Sequence, residues 1–203
     1  MIKKLLIMLE MQDAMNARVN PGWRQANNAW YRAIWTECAE MLDHYGWKWW
    51  KHQKPDLDQV RLELVDIFHF AVSDYLLRGA DNDEVATRIL GELADPGSIV
   101  DIPEAIESMA QSTIAHKSMH FSEFANVMHL IEMDFDQLYR LYVGKNVLNF
   151  FRQDNGYKEG SYVKIWQGRE DNEHLSELLI SLDSESAGFK ADVYQGLQSR
   201  YPG

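Results

Sequence analysis

The sequence predicts an all-α protein: a helical bundle core carrying a carboxylate metal site, with a smaller helical insertion in the middle. Three observations lead there. Apolar residues recur at helical spacing along most of the 203 residues. Strand signals are sparse, with no long alternating Val/Ile/Thr run and no Asn-Gly hairpin turn. Two pairs of acidic residues, each pair three apart, fall within two successive apolar helical stretches.

Composition narrows the class. Hydrophobic residues make up 46% and charged residues 25%, as in an ordinary folded domain. The net charge of −11 argues against nucleic acid as a partner. A single cysteine, Cys38, cannot form an internal disulfide, which fits a reducing compartment. The opening MIKKLLIMLEMQ lacks the cleavage site of a signal peptide, and no apolar run reaches membrane-spanning length. The expected setting is the cytoplasm, with no membrane partner.

The elements follow in order. A helix over 2–16 places Leu5, Met8, Leu9, Gln12 and Asn16 on one face, so amides extend an apolar stripe. Amides donate and accept, which suits a nucleobase edge or a sugar hydroxyl. NPGW at 20–23 breaks the pattern. The next helix, 28–45, holds ECAE, with Glu37 and Glu40 on one face and Ile34 and Leu42 nearby. HQKPDLD at 52–58 is the following turn. The helix over 57–79 holds RLELVDIFHF, where Glu63 and Asp66 sit among residues apolar almost all round.

Helices over 82–94, 103–116 and 122–131, with DPGS at 95–98 between the first two, form a less aromatic middle. Residues of about 80–132 could be an inserted helical subdomain capping a site built by the rest of a single domain, 1–203. A helix over 134–153 follows, where Tyr142, Lys145, Asn149 and Arg152 fall within roughly an 80° arc of an otherwise apolar element. RQDNGYKEGSY at 152–162 adds Tyr157 and Lys158 on a glycine-punctuated loop. Cations, a hydroxyl and an amide gathered in this way suit a phosphate chain. Helical periodicity resumes over 171–182 and 185–200.

Buried carboxylates are costly unless paired or bound to metal. Two pairs on two buried helices point to one shared site, and all-oxygen ligation favours Mg²⁺ or Mn²⁺. The alternatives are ion pairing with Arg32 and Arg61, or a di-iron bundle. The latter requires Glu-x-x-His on two helices, and only Asp66-x-x-His69 has that shape. His116 and His120, at i, i+4, have the spacing of zinc ligands but no third ligand nearby in sequence.

Three blocks carry a family resemblance: ECAEMLDHYGWKWWK, RLELVDIFHF and GKNVLNFFRQDNGYKEGSYVKIWQGREDNEHL. In order and spacing they resemble the all-α dimeric dUTPases of the all-α NTP pyrophosphatase superfamily, which includes the MazG-like enzymes. The resemblance spans about 1–79 and 132–180. It implies hydrolysis of dUTP, and of dUDP, to dUMP with release of pyrophosphate or phosphate. It implies a homodimer and two or more Mg²⁺ ions, with Mn²⁺ as a substitute, held by Glu37, Glu40, Glu63 and Asp66. Lys145, Asn149, Arg152, Tyr157 and Lys158 match the phosphate-handling positions, with Asn146 the alternative to Asn149. Gln12, Asn16, Trp49, His69 and Phe70 match positions around the nucleoside, leaving Trp47 and Trp50 to packing. Glu37, Lys145 and Arg152 are the expected catalytic groups. A MazG-like pyrophosphatase accepting dCTP as well as dUTP is the alternative, and a nucleotide-binding protein without catalysis is a second.

Overall fold

A computed structural model describes residues 1–202. By compactness the chain forms two units, Met1–Leu138 and Tyr139–Gly203.

The first unit is organised around its most apolar helix. Among the described residues the helices of this unit are α1 (Ile2–Val19), α2 (Trp30–Tyr45), α3 (Leu57–Arg78), α4 (Asn82–Leu93), α5 (Ile102–His116) and α6 (Phe121–Leu130). α3 is buried on nearly every face, from Val60 to Leu76. Asp56 starts it by accepting a hydrogen bond from the Gln59 amide, satisfying one of the first-turn donors. Phe68 meets the rings of Phe121 and Phe124, each at 5.5 Å between centroids. α1 and α2 both pack on α3; α4 packs on α1, α5 on α2, and α6 on α4 and α5. The middle segment thus supplies α4, α5 and α6 to the packing of this unit.

α2 and α3 form an antiparallel hairpin, and its turn explains the register. Gly46 ends α2 in the left-handed region, φ 92°. A Cβ there would stand 2.8 Å from the Gln53 Cβ, so glycine lets the loop fold back closely. Gln53 Oε1 accepts from the Lys48 amide at 2.9 Å, and the Asp56 amide donates to the His44 carbonyl at 2.9 Å. With the ends tied in this way, the middle of α2 lies against the middle of α3.

The second unit is built on α7 (Phe135–Asp154), which begins in the first, and on α8 (Asp171–Ser181) and α9 (Phe189–Arg200). A two-residue antiparallel ladder, β1 (Ile165–Trp166) and β2 (Arg169–Glu170), precedes α8. Its turn, Gln167-Gly168, has positive φ at both positions, 53° and 82°. That is the hairpin geometry Asn-Gly usually marks. The strands are too short to leave an alternating pattern, which is why the sequence did not reveal them. The core here is aromatic: Phe151 contacts Trp166, Tyr194 and Tyr201 edge-on, and Tyr162 stacks on Tyr201 at 5.4 Å. Gly144 lets α7 approach α8, since a Cβ would sit 2.7 Å from two Leu179 methyls. The last helix starts at Phe189, later than the expected 185. Asp183 accepts from the amides of Glu185 and Ser186, holding that stretch as a turn.

Candidate active site

The hairpin of α2 and α3 brings three of the four expected metal ligands together. One carboxylate oxygen from each of Glu37, Glu63 and Asp66 lies within 4.8 Å of the others. Glu63 is 6% exposed and Glu37 and Asp66 are half-buried. Glu40 stands apart from this trio on the exposed edge of α2, close enough for its charge to act on Glu37. No other such group of histidines, cysteines and acids meets among the described residues. His116 and His120 pack ring against ring at 5.5 Å, and His116 turns its Nδ1 toward the Ser112 carbonyl.

The trio concentrates partly buried carboxylates that could hold a cation. Burial, then the charges of Asp66, Glu63 and Glu40, then a hydrogen bond with Glu63, push the Glu37 carboxyl up to about 8. The two arginines weighed as ion-pair partners have other contacts. Arg61 pairs with Asp58 at 3.1 Å and donates to the Ile131 carbonyl at 2.9 Å, while the Arg32 guanidinium lies 5.7 Å from the Tyr31 ring. The His44 Nε2 lies 3.4 Å from Glu63 Oε1. A hard divalent cation fits this donor set, because carboxylate oxygen is its preferred ligand and its charge relieves the repulsion.

A pH signature follows. The folded chain without metal holds a proton on Glu37 between the ordinary glutamate value of 4.5 and about 8, and the unfolded chain releases it. Stability must therefore fall as pH rises through that window. Melting of metal-free protein between pH 5 and 8 should show this fall, and Glu37→Gln should flatten it. Equal slopes in both proteins would contradict the geometry. Cys38, packed beside this cluster at 1% exposure, has its thiol pushed up to about 12, chiefly by burial and then by the Glu37 charge. It is a buried apolar filler rather than a nucleophile.

One turn further along α3 and across to α1 lies a closed ring of hydrogen bonds. His69 Nδ1 is 2.6 Å from Gln12 Oε1, Gln12 Nε2 donates to Asn16 Oδ1 at 2.9 Å, and Asn16 Nδ2 donates to Ser73 Oγ at 2.9 Å. The Ser73 hydroxyl returns to the His69 carbonyl at 2.8 Å. Each donor's direction forces the next, so His69 carries its proton on Nδ1 and both amide orientations are set. Gln12, Asn16 and His69 are all at least nine-tenths buried. Ser73 was not legible as a member, since a serine inside a helix carries no motif. Phe70, half-buried, packs against Trp30 at 6.3 Å. Trp49 is 88% exposed and touches Trp50 edge-on. Trp47 and Trp50 stay half-exposed and pack on one another at 5.2 Å. The lysine-rich turn that holds them, WKWWKHQK, keeps them at the surface.

The second unit gathers the cationic set. Arg152 grips Asp171 with two parallel bonds, Nε to Oδ2 at 2.8 Å and Nη2 to Oδ1 at 2.9 Å. Its Nη1 donates to Asn149 Oδ1 at 3.2 Å, and its guanidinium lies 5.9 Å from the Tyr157 ring. Lys145 is 2% exposed and donates to Asn172 Oδ1 at 2.9 Å. Of the polar stripe of α7, Tyr142 and Lys145 are buried and Asn149 and Arg152 partly so. Asn146 is buried as well and hydrogen-bonds Tyr142, so Asn149 is the amide that meets Arg152. Lys158 is exposed on the loop. Tyr162, Asp171 and Asn172 are the members the sequence did not disclose. An acid in the first turn of a helix reads as ordinary capping, and only the tertiary contact with α7 shows otherwise.

Among the described residues no helix is long and apolar enough to cross a membrane. No curated protein matches the chain. A family model described as dUTPase matches residues 4–157, a span that takes in the carboxylate trio, the ring of hydrogen bonds and the α7 stripe. The chain belongs to the dUTPase family, the hydrolases of dUTP.

Proposed function

We propose that the protein hydrolyses dUTP, and also dUDP, to dUMP, with release of pyrophosphate or phosphate, and so keeps uracil out of DNA. The convergence of Glu37, Glu63 and Asp66 carries this reading, because oxygens of three acids held this close form a donor set suited to a divalent cation. These three and Glu40 are the residues that would hold Mg²⁺, two or more ions, with Mn²⁺ as a substitute. Bound Mg²⁺ supplies charge neutralisation of the phosphate chain and a lowered pKa for the attacking water.

The remaining work falls to side chains. The Glu37 carboxylate orients the water and takes its proton. Lys145 and Arg152 donate to phosphoryl oxygens as charge builds there. Asn149, Tyr157 and Lys158 complete the phosphate-handling set. The ring of Gln12, Asn16 and His69 presents fixed donors and acceptors to the nucleoside, with Phe70 and Trp49 as its aromatic walls. Hydrogen-bond readout rejects a mismatched base edge far better than a missing methyl does, about 10⁴–10⁵-fold against 10–200-fold. The same reading carries the homodimer and the cytoplasmic setting.

Pyrophosphate release from dUTP, dCTP, dTTP and dATP with Mg²⁺, measured side by side, tests the proposal. We expect dUTP to be turned over at least tenfold faster than dTTP and dATP. Equal rates on all four would sink the dUTP reading in favour of a broad pyrophosphatase, and dCTP matching dUTP would support the MazG-like alternative.

A further inference from the structure

We propose that Asp171 is a positioning residue of the reaction, fixing the Arg152 guanidinium and, through the adjacent Asn172, the Lys145 ammonium for contact with the anionic substrate. The inference rests on the reading of Arg152 and Lys145 as phosphate-handling groups. Asp171 lies beyond the residues the family model matches.

The geometry is that of a hub. Asp171 is 0% exposed, and its two oxygens accept three side-chain hydrogen bonds: two from Arg152 and one from the Tyr162 hydroxyl at 2.8 Å. Its amide donates to the Lys164 carbonyl at 3.0 Å, which ties the start of α8 to the loop before it. It occupies the first turn of α8, behind a capping box of Glu170 and Glu173, where the helix dipole favours a negative charge. Burial alone would raise the Asp171 carboxyl. The Arg152 bonds and charge, the Tyr162 bond and the Lys145 charge outweigh it and hold the carboxyl below its usual range. One residue on, Asn172 accepts from Lys145. Two consecutive residues of one helix end therefore set both cations.

A bidentate carboxylate holds a guanidinium in one plane, so Arg152 cannot swing among rotamers when an anion arrives. Orientation settled before binding is the kind of advantage that lowers the barrier rather than the binding constant. Asp171 also offsets the Arg152 charge, so the pair offers direction more than net attraction. Charge and positioning thus predict opposite signs. If only charge mattered, replacing Asp171 with a neutral isostere would leave the set more positive and tighten anion binding. If position matters, the same change weakens productive contact.

The test compares wild type, Asp171→Asn and Tyr162→Phe, each checked by circular dichroism. Tyr162→Phe removes one bond to Asp171 and leaves the ion pair, so it decides the matter should Asp171→Asn fail to fold. We expect Asp171→Asn to lower kcat for dUTP by about 10²-fold with KM changed less than about threefold, and Tyr162→Phe to lower kcat roughly fivefold. A kcat within twofold of wild type in a folded Asp171→Asn, or in Tyr162→Phe where the former does not fold, overturns the inference. If wild type itself releases no pyrophosphate from dUTP, the proposed substrate fails instead. The same comparison of kcat on whichever of dCTP, dTTP or dATP the wild type hydrolyses then judges Asp171 by the same thresholds.

Discussion

Asp66→Asn should lower the rate of dUTP hydrolysis by at least about 10³-fold while leaving the fold intact. The change keeps the size of the side chain and removes one negative charge from three that crowd within 4.8 Å. A cation held by the trio loses both a ligand and a share of its attraction, and phosphoryl transfer depends almost wholly on positioning and charge neutralisation. The same substitution should lower the Glu37 carboxyl from its value of about 8, because the Asp66 charge is the largest cause after burial. Metal-free Asp66→Asn should therefore melt higher than metal-free wild type at pH 8, a gain in stability that accompanies the loss of activity. Rates near wild type with Mg²⁺ would remove Asp66 from the site.

Arg152→Met should be the most damaging single change to the second unit. It strands the Asp171 carboxylate, fully buried, without its bidentate partner. Breaking one side of a buried pair costs about 3–5 kcal/mol. The double variant Arg152→Met/Asp171→Leu should regain most of that loss, since an apolar pair of similar volume replaces both charges. It should stay inactive, because Arg152 is also a proposed phosphate ligand. Denaturant unfolding of the two variants measures the difference. A single variant within about 1 kcal/mol of wild type would mean that the buried pair holds little of the unit's stability.

Much of this was legible in the chain. Helices stood out wherever apolar residues kept a 3.6 period, and their ends fell within a residue or two of glycines, prolines and capping aspartates such as Asp56 and Asp101. The carboxylate trio was legible because acids in an apolar helix need a reason, and Glu63 amid Leu62, Leu64 and Val65 had no solvent-facing one. What the sequence hid was pairing across elements. Nothing in EDN announces that Asp171 receives Arg152, nineteen residues away, and nothing in HFAVS announces that Ser73 closes a ring through Gln12. Such partners are chosen by the approach of one helix to another, and single residues carry no periodic mark of it. The aromatic turn was less legible. Trp49 was matched to the nucleoside and Trp47 and Trp50 to packing, and all three stand at the surface on a turn that also carries Lys48 and Lys51.

In the proposed reaction the α2–α3 carboxylates serve dUTP hydrolysis by holding a divalent cation. Protein stripped of metal by a chelator and assayed for pyrophosphate release from dUTP tests it most directly, with Mg²⁺ then added back. Turnover should be absent without metal, return on addition of Mg²⁺, and fail to return at the same concentration in Glu63→Gln. Full activity in the stripped protein, or equal recovery in Glu63→Gln, would contradict it.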